Sequence, residues 1–415
     1  MNRFMFISQK LKFLLLISLL FYSVFAFSQL SRTYDNGATL FEQGDFQGAK
    51  VMMSRVIAKS SVYYEAYTIR GRSYEKLGMP DSALIDFNKA LEIKPDFLPA
   101  IFFRGVLNYN LANWELAKTD FDIILKSRPD YINALIYRGR SLEELGKKEE
   151  AIEDYTTAIN LRLKNHEVYY RRGLLYEKER RPKDALWDFD KSVMYKSDFV
   201  EGYLHRGKMN QLLGNDAEAL ADFDKVLSLT DTMREVYMDR GDLNFKLKNY
   251  ENAAADYSVL IDKFRVKDGN LYFKRADAYF LDSNYSAAFK EYTRVLQVKP
   301  RFDPAIVAQA KIRLIEGKPS SALPLLRKAL SFNPTNGEAY FLKGKMLYEQ
   351  EKFAEALIDL NQAVKYFPKA ESYFYRGSAR FETGDKYGAC LDLQEAVKQG
   401  YKVEGIEDMV KRVCN

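Results

Sequence analysis

The sequence has little of the chemistry on which catalytic and metal sites depend. Its 415 residues include two cysteines and two histidines, and neither His166 nor His205 has a cysteine or another histidine at the spacing of metal ligands. It also lacks a glycine-rich phosphate loop and a nucleophile elbow. We therefore predict that the chain is not an enzyme and uses no metal or cofactor.

Glycine and proline are scarce as well, at 22 and 11 residues, whereas 47% of the residues are hydrophobic. A chain of this composition buries enough apolar surface to fold. Arg3, Lys10 and Lys12 account for three units of the formal net charge of +6, so the rest of the chain is close to neutral. Because nucleic-acid binding needs a concentrated basic surface, we predict no nucleic-acid partner.

The N-terminus differs in character from everything that follows it. Its three basic residues precede an uncharged apolar run over residues 13–27, which is short for a membrane span of about 20 residues. Ala26 and Ser28 supply the small residues of a cleavage site before Gln29. We predict that residues 1–28 are a signal peptide, so that the protein is periplasmic or secreted. Retention of the segment as an uncleaved anchor is the alternative.

Small residues recur with a period of 34 residues through most of the chain. If the recurring small residue is counted as position 8 of each repeat, the series is Gly37, Gly71, Gly105, Gly139, Gly173, Gly207, Gly241, Ala276, Ala310, Gly344 and Gly377. Position 20 is alanine in every repeat, from Ala49 to Ala389, and position 24 is large and apolar or aromatic. Each repeat has two stretches of helical periodicity separated by a turn signal, which predicts a helical hairpin.

This pattern resembles the tetratricopeptide repeat (TPR), in which small residues at positions 8 and 20 let two antiparallel helices approach closely. The resemblance covers residues 30 to about 400. It implies an all-α fold, a right-handed superhelical α-solenoid of about eleven TPR-like helical hairpins over residues 29–400. Ile406, Met409, Val410 and Val413 then share one helical face. Residues 401–415 are therefore predicted to form a C-terminal capping helix that covers the apolar end of the stack.

A basic residue at position 7 and an acidic residue at position 23 occur together. Nine repeats have both, as in Arg138 and Asp154, whereas the first and ninth have neither. A row of arginines would be a candidate site for an anionic ligand. Because base and acid disappear together, we instead predict an ion pair between the two helices of each hairpin.

In TPR-like solenoids the first helix of each repeat lines the concave face and exposes positions 2, 5, 9 and 12, which share one helical face. In this chain those positions hold aromatic and basic residues, which are enriched where binding energy concentrates. The predicted partner-binding residues are Arg72, Phe102, Tyr109, Arg140, Lys208, Phe273, Phe280, Phe341, Lys345, Tyr348, Phe374 and Phe381. The alternative is that these aromatic residues pack between adjacent repeats.

These features predict a non-catalytic exported scaffold that binds a protein or peptide in its concave groove, with an extended peptide, an acidic segment or an envelope protein as the partner. One alternative is a module that recognises peptidoglycan or another glycan, whose sugar rings would stack on the same aromatic residues. Another is an inert accessory subunit of an envelope enzyme complex. The surface alone does not name the partner.

The two cysteines lie close to the C-terminus. Cys390 is in the last hairpin and Cys414 is at the end of the predicted capping helix. Position 21, which Cys390 occupies, is apolar in most other repeats, so a buried reduced cysteine is one interpretation. Export would permit the other, a disulfide that ties the cap to the array.

Overall fold

The computed structural model describes residues 28–414, and the regular elements in that range are all helices. The predicted signal peptide, residues 1–28, lies outside the described residues except for its last position. Over residues 28–414, no helix combines the length and the hydropathy needed to cross a bilayer.

The chain divides into two compact units, one ending at Asn215 and the other beginning at Asp216. The helices of the first unit are α1 (28–42), α2 (Phe46–Lys59), α3 (Tyr64–Lys76), α4 (Pro80–Ile93), α5 (Leu98–Asn110), α6 (Trp114–Ser127), α7 (Ile132–Glu144), α8 (Lys148–Asn160), α9 (His166–Lys178), α10 (Pro182–Tyr195) and α11 (Val200–Leu213). Those of the second unit are α12 (Asp216–Leu229), α13 (Arg234–Lys246), α14 (Tyr250–Ser258), α15 (Gly269–Leu281), α16 (Tyr285–Val298), α17 (Asp303–Ile315), α18 (Pro319–Phe332), α19 (Gly337–Glu349), α20 (Phe353–Tyr366), α21 (Ala370–Glu382), α22 (Lys386–Lys398) and α23 (Ile406–Cys414).

Within each unit, consecutive helices joined by short turns pack as hairpins, such as α3 with α4 and α19 with α20. Each hairpin also packs on the next one, as α4 does on α5 and α20 on α21. The predicted all-α fold of repeated helical hairpins is confirmed. Every hairpin therefore contributes one first helix and one second helix, and the candidate residues all belong to first helices.

The recurring small residues hold the two helices of a hairpin close together. A Cβ added at Gly139 would lie 2.7 Å from Cε1 of Tyr155, the position 24 side chain of the same repeat. One added at Gly344 would lie 2.7 Å from Cγ of Leu360. Ala151, at position 20 of the repeat that contains Gly139, is fully buried in one apolar cluster with Tyr155. The 34-residue period thus reflects a close approach of the helices that a larger side chain would prevent.

The chain has one extra residue between Gly241 and Ala276, and a distorted helical turn lies in this interval. Helix α14 ends at Ser258 and continues as a π-helical turn over Val259–Lys263. A single π turn accommodates one extra residue without breaking the helix. Leu260 and Ile261 remain buried, so the insertion leaves the apolar core of this hairpin intact.

The ion pair within each hairpin is present as predicted wherever both residues lie in one unit. Nε and Nη2 of Arg138 donate to the two carboxylate oxygens of Asp154 at 2.8 and 2.6 Å. Equivalent pairs are Arg70–Asp86, Arg104–Asp120, Arg172–Asp188, Arg240–Asp256, Arg275–Glu291, Lys343–Asp359 and Arg376–Asp392. These basic side chains are therefore occupied within the fold and do not form an anion site.

The ninth repeat replaces this ion pair by neutral groups. Nε2 of Gln309, at position 7, donates to Oγ1 of Thr293 in the preceding hairpin at 2.9 Å. Leu325, at position 23, packs against the apolar core around Leu326. The ninth repeat is thus held by apolar contacts and a neutral hydrogen bond in place of a buried ion pair.

Helix α23 covers the C-terminal hairpin. Met409, Val410 and Val413 pack against the core of that hairpin around Leu393. Cys390 of α22 and Cys414 of α23 form a disulfide, which joins the two helices covalently. The end of the second unit is therefore closed both by apolar contact and by a covalent bond.

Candidate functional site

The predicted binding residues of the first unit are engaged within the fold. Phe102 and Tyr109 both contact the ring of Tyr137 in the next hairpin, each with ring centroids 5.9 Å apart. The guanidinium of Arg72 lies between two rings, 4.2 Å from the centroid of Phe41 and 4.1 Å from that of Phe103. Burial lowers the pKa of Arg72. These side chains join neighbouring repeats, which is the packing role considered as the alternative.

Arg140 belongs to a network of charged side chains on α7 and α9. Its Nη2 lies 2.7 Å from Oε2 of Glu167, and Glu167 also accepts from Arg171, which pairs with Glu143 at 2.9 Å. The two arginines are thus balanced by two glutamates. Lys208, on α11, is partly buried. Apart from this lysine, the basic candidates of the first unit are already paired with acidic or aromatic groups of the protein.

Phe374 and Phe381, predicted to face a partner, pack instead under the C-terminal helix. Both contact the apolar cluster that α23 covers, and the guanidinium of Arg412 in α23 lies 5.4 Å from the ring centroid of Phe381. Phe374 also lies 4.6 Å from the ring of Tyr401, just before α23. The capping segment therefore occupies the surface that repetition alone would leave open, and we remove these two residues from the candidate site.

Other candidates of the second unit are brought together around an open cavity. Phe280, Phe341 and Lys345 all line a cavity of 720 Å³ between the first helices α15, α17 and α19, although Phe341 is only 5% exposed and also contacts Tyr375 of the next hairpin. Its apolar lining also includes Leu314, Ile315, Pro319, Leu342, Met346 and Phe367. Tyr348 lies on α19 but contacts Tyr375 of the next hairpin, with centroids 5.5 Å apart. The cavity thus gathers three of the predicted residues and several that the sequence pattern did not single out.

A second cavity of 390 Å³ adjoins the first and shares Phe280, Lys311 and Glu338 with it. It is lined by Phe273, the remaining aromatic candidate, and by Asp277 and Ala308. We call the two cavities together the α15–α19 groove. The groove runs along the first helices of three successive hairpins in the second unit.

The charged groups of the groove are mixed in sign. Lys311 Nζ lies 2.6 Å from Oε1 of Glu338, and Lys345 Nζ lies 4.0 Å from Oε1 of Glu349. Glu371 also lines the larger cavity, and Asp277 lines the smaller one. The acidic groups therefore outnumber the basic ones, and this balance does not favour the acidic segment considered from the sequence.

Among the charged groups of the groove, Asp277 stands out by its burial and by its hydrogen bond to a tyrosine hydroxyl. Tyr292 Oη donates a hydrogen bond to its Oδ1 at 2.7 Å. Burial raises the pKa of Asp277, although this hydrogen bond and the nearby charge of Lys311 oppose the shift. Among residues 28–414, no cation forms an ion pair with this carboxylate. Its charge is therefore poorly compensated within the fold.

Ile315, Leu342 and Met346 were missed because they lie outside the helical stripe that the sequence analysis selected, whereas Leu314 occupies position 12 of that stripe and was passed over because only aromatic and basic residues were selected there. Ala308 also lies outside the stripe. It occupies position 6, where the tenth and eleventh repeats have Leu342 and Tyr375 and the fourth has Tyr137. An alanine at a position that holds a long or aromatic side chain in most other repeats was the available signal.

Three segments match models of one repeat family. Residues 64–97 and 313–379 match models described as "Tetratricopeptide repeat", and residues 139–179 match one described as "TPR repeat". The sequence resemblance to this repeat is thus supported independently in both units.

Several solved structures are similar to the chain at low identity. The crystal structure of YrrB, "a TPR protein with an unusual peptide-binding site", is 21% identical over 42% of this chain and 91% of its own, with a TM-score of 0.40. Yeast Tom70 is 16% identical over 93% of this chain and 96% of its own, with a TM-score of 0.39. A tetratricopeptide repeat protein from Parabacteroides merdae is 19% identical over 68% of this chain and 99% of its own, with a TM-score of 0.36. None of these likenesses bears on what this chain binds.

Proposed function

We propose that the chain, three segments of which match models of the tetratricopeptide repeat, is a non-catalytic interaction scaffold that binds a peptide segment of another protein in the α15–α19 groove. The observation that carries the proposal is the groove itself, two adjoining cavities of 720 and 390 Å³ along successive first helices. The corresponding first-unit candidates, apart from Lys208, are in contact with neighbouring side chains of the fold. A partner therefore finds accessible apolar surface in the second unit.

The lining of the groove suits a peptide. Phe280, Leu314 and Ile315 present apolar surface whose burial contributes about 25 cal/mol per Å². The charged groups at Lys345 and Glu349 stand beside this surface and would orient a bound chain. An apolar centre with a polar rim is the usual anatomy of a protein interface.

We also propose that the protein acts outside the cytoplasm, on the strength of the basic, apolar and small-residue pattern of residues 1–28. Expression of the full chain with an epitope at its C-terminus, followed by cell fractionation, tests this separately from binding. Recovery in the exported fraction, with loss of the first 28 residues by mass spectrometry, is the expected result. Recovery of the intact chain in the cytoplasm would contradict it.

Two exposed isoleucines provide a matched test of the binding site. Ile315 lines the groove and is 52% exposed, whereas Ile358 is on α20, outside the groove, and is 69% exposed. Short random peptides are selected on the purified mature chain, and their affinities are then measured for Ile315→Asp and Ile358→Asp. We expect Ile315→Asp to weaken binding about tenfold or more, since it places a charge against the apolar anchor of the peptide, and Ile358→Asp to change little.

Peptides that bind both variants equally well would place their site elsewhere and overturn the proposal. A glycan-binding module would instead retain no peptide in the selection and would sediment with insoluble cell wall, with Ile315→Asp reducing sedimentation. An accessory subunit of an enzyme complex would bind a peptide of its neighbour. Ile315→Asp would then reduce assembly of the complex more than Ile358→Asp would.

A further inference from the structure

In the fourth and eleventh repeats, position 6 of the first helix holds a tyrosine that closes the gap to the preceding hairpin. In the fourth repeat Tyr137 contacts Phe102 and Tyr109, which are positions 5 and 12 of the third repeat. In the eleventh repeat Tyr375 makes the same two contacts, with Phe341 and Tyr348 of the tenth, at 5.9 and 5.5 Å between centroids. A large side chain at this position thus covers the aromatic residues of the hairpin before it.

In the eighth repeat, position 6 holds a charged residue, which also contacts the preceding hairpin. Lys274, at position 6, places its Nζ 2.5 and 2.7 Å from the carboxylate oxygens of Asp242, which is position 9 of the seventh repeat. Tyr257 Oη also donates to Asp242, at 2.7 Å. A tyrosine, an aspartate and a lysine from two successive repeats therefore form one constellation.

The next pair of repeats has the tyrosine and the aspartate but not the lysine. Tyr292 Oη donates to Asp277 at 2.7 Å, and these two residues occupy the same repeat positions as Tyr257 and Asp242. The residue at position 6 of the following repeat is Ala308, whose side chain is too short to reach either one. The smaller cavity of the groove, 390 Å³, lies at this place.

Other nearby groups do not replace the missing cation. Lys311 is the basic residue that affects Asp277 electrostatically, but its ammonium group pairs with Glu338 at 2.6 Å. Phe273 and Phe280, at positions 5 and 12 of the eighth repeat, line the same cavity. They are the equivalents of the residues that Tyr137 and Tyr375 cover. Beside the Lys311–Glu338 pair, the cavity therefore offers the carboxylate of Asp277 and two aromatic side chains.

We propose that this cavity binds a lysine or arginine side chain of the partner peptide, with its cation paired to Asp277 and its stem packed on Phe273 and Phe280. The inference rests on the proposed function and names the chemistry of the residue that the groove selects. Charge complementarity supports it, because the protein itself places Lys274 against Asp242 in the equivalent site. Aromatic side chains add a favourable interaction with a cation held over the ring.

The site is tested first without any partner. Ala308→Lys should recreate the Lys274 arrangement, so it should raise the free energy of unfolding relative to Ala308→Met, a side chain of similar length without charge. The advantage of lysine over methionine should disappear when Asp277→Asn is added. Equal stability of the two variants at position 308, with Asp277 intact, would show that a cation is not accepted there and would overturn the inference.

The second test uses peptides selected on the mature chain whose binding is weakened by Ile315→Asp. Each lysine of a peptide is replaced by norleucine and each arginine by citrulline, and affinities are measured by fluorescence anisotropy for wild type and Asp277→Asn. We expect one replacement to reduce affinity for wild type about tenfold and to have little effect on Asp277→Asn. Ala308→Lys should weaken the same peptides, because its own ammonium occupies the site.

The failures of the two proposals are distinguishable. Peptides that depend on Ile315 but show no coupling between any basic residue and Asp277 would leave the groove as the binding site and overturn the lysine or arginine assignment. Peptides that do not depend on Ile315 would overturn the proposed function, and the inference about their basic residue would fall with it.

Discussion

The first helices of the two units have the same repeat pattern but use it differently. In the first unit Tyr137 fills the space between Phe102 and Tyr109, and the predicted binding residues other than Lys208 are held in contacts between repeats. In the second unit Ala308 leaves Phe273 and Phe280 lining a cavity. A repeated fold thus acquires a candidate site where one repeat departs from the pattern that stabilises the others.

The largest expected effect on stability comes from breaking the ion pair between positions 7 and 23, which the fifth repeat has and the ninth lacks. Asp188 is fully buried and pairs with Arg172, whose side chain is 8% exposed. Asp188→Ala should therefore lower the free energy of unfolding by about 3–5 kcal/mol, because it leaves a buried charge without a partner. Chemical denaturation followed by circular dichroism measures the change.

The control gives the fifth repeat the residues of the ninth. Arg172→Gln with Asp188→Leu copies Gln309 and Leu325, and it should destabilise the protein less than Asp188→Ala alone. A double variant as unstable as the single one would mean that the pair does not act as a unit.

Loss of the disulfide should have the next largest effect, and only at the end of the second unit. Cys390 and Cys414 are 24 residues apart, and a cross-link closing a loop of this size stabilises the folded state by about 3 kcal/mol. Cys390→Ser with Cys414→Ser should increase amide hydrogen exchange in α23. Exchange in α3 and α5 should be unchanged, and equal protection of α23 in both proteins would refute a stabilising role for the bond.

Removing the position 6 side chain in the first unit, at the position where the second unit has Ala308, should lower the free energy of unfolding by a smaller amount. Tyr137→Ala removes a partly exposed ring that contacts three aromatic neighbours, so we expect a loss of about 2 kcal/mol, below the value for a fully buried ring. Thermal unfolding measures it. The matched change, Ala308→Tyr, should leave stability nearly unchanged. A loss from Ala308→Tyr as large as that from Tyr137→Ala would mean that the second cavity cannot accept a ring.

The smallest effect is the pH dependence of peptide binding. A bound cation lowers the pKa of Asp277, so affinity is full above the pKa of the free protein and falls as pH decreases through it. Burial raises that pKa, so the fall should begin above the range of an ordinary aspartate, near 4. Titration of affinity against pH checks this, and Asp277→Asn should remove this part of the dependence. An identical profile for that variant would exclude Asp277 as the titrating group.

Much of the fold could be predicted from the sequence because close helix packing leaves a direct trace in it. The glycines at positions such as Gly139 exist because a Cβ there would meet Tyr155, and the joint loss of acid and base revealed the ion pairs. The site was harder to predict. Phe102 and Phe273 both occupy position 5, yet the first is covered by Tyr137 and the second lines the smaller cavity of the groove.

Two residues at the same repeat position differ in the side chain that the following hairpin places against them. A single helical stripe does not include that side chain. Tyr137, Lys274 and Ala308 hold the same repeat position and respectively fill a space, neutralise an aspartate and leave a cavity. Reading position 6 against positions 5, 9 and 12 of the preceding repeat would have identified the departure at Ala308. The C-terminal helix is not repetitive, so its coverage of Phe381 required the three-dimensional structure.

The most direct test of the central claim is the affinity of selected peptides for wild type and Ala308→Tyr, measured alongside the free energy of unfolding of both proteins. The tyrosine should occupy the space beside Phe273 and Phe280 as Tyr137 does beside Phe102 and Tyr109. We predict at least about a tenfold loss of affinity, equivalent to about 1.4 kcal/mol, with stability nearly unchanged. Full affinity in Ala308→Tyr would contradict the claim that the partner binds where the ninth repeat departs from the pattern.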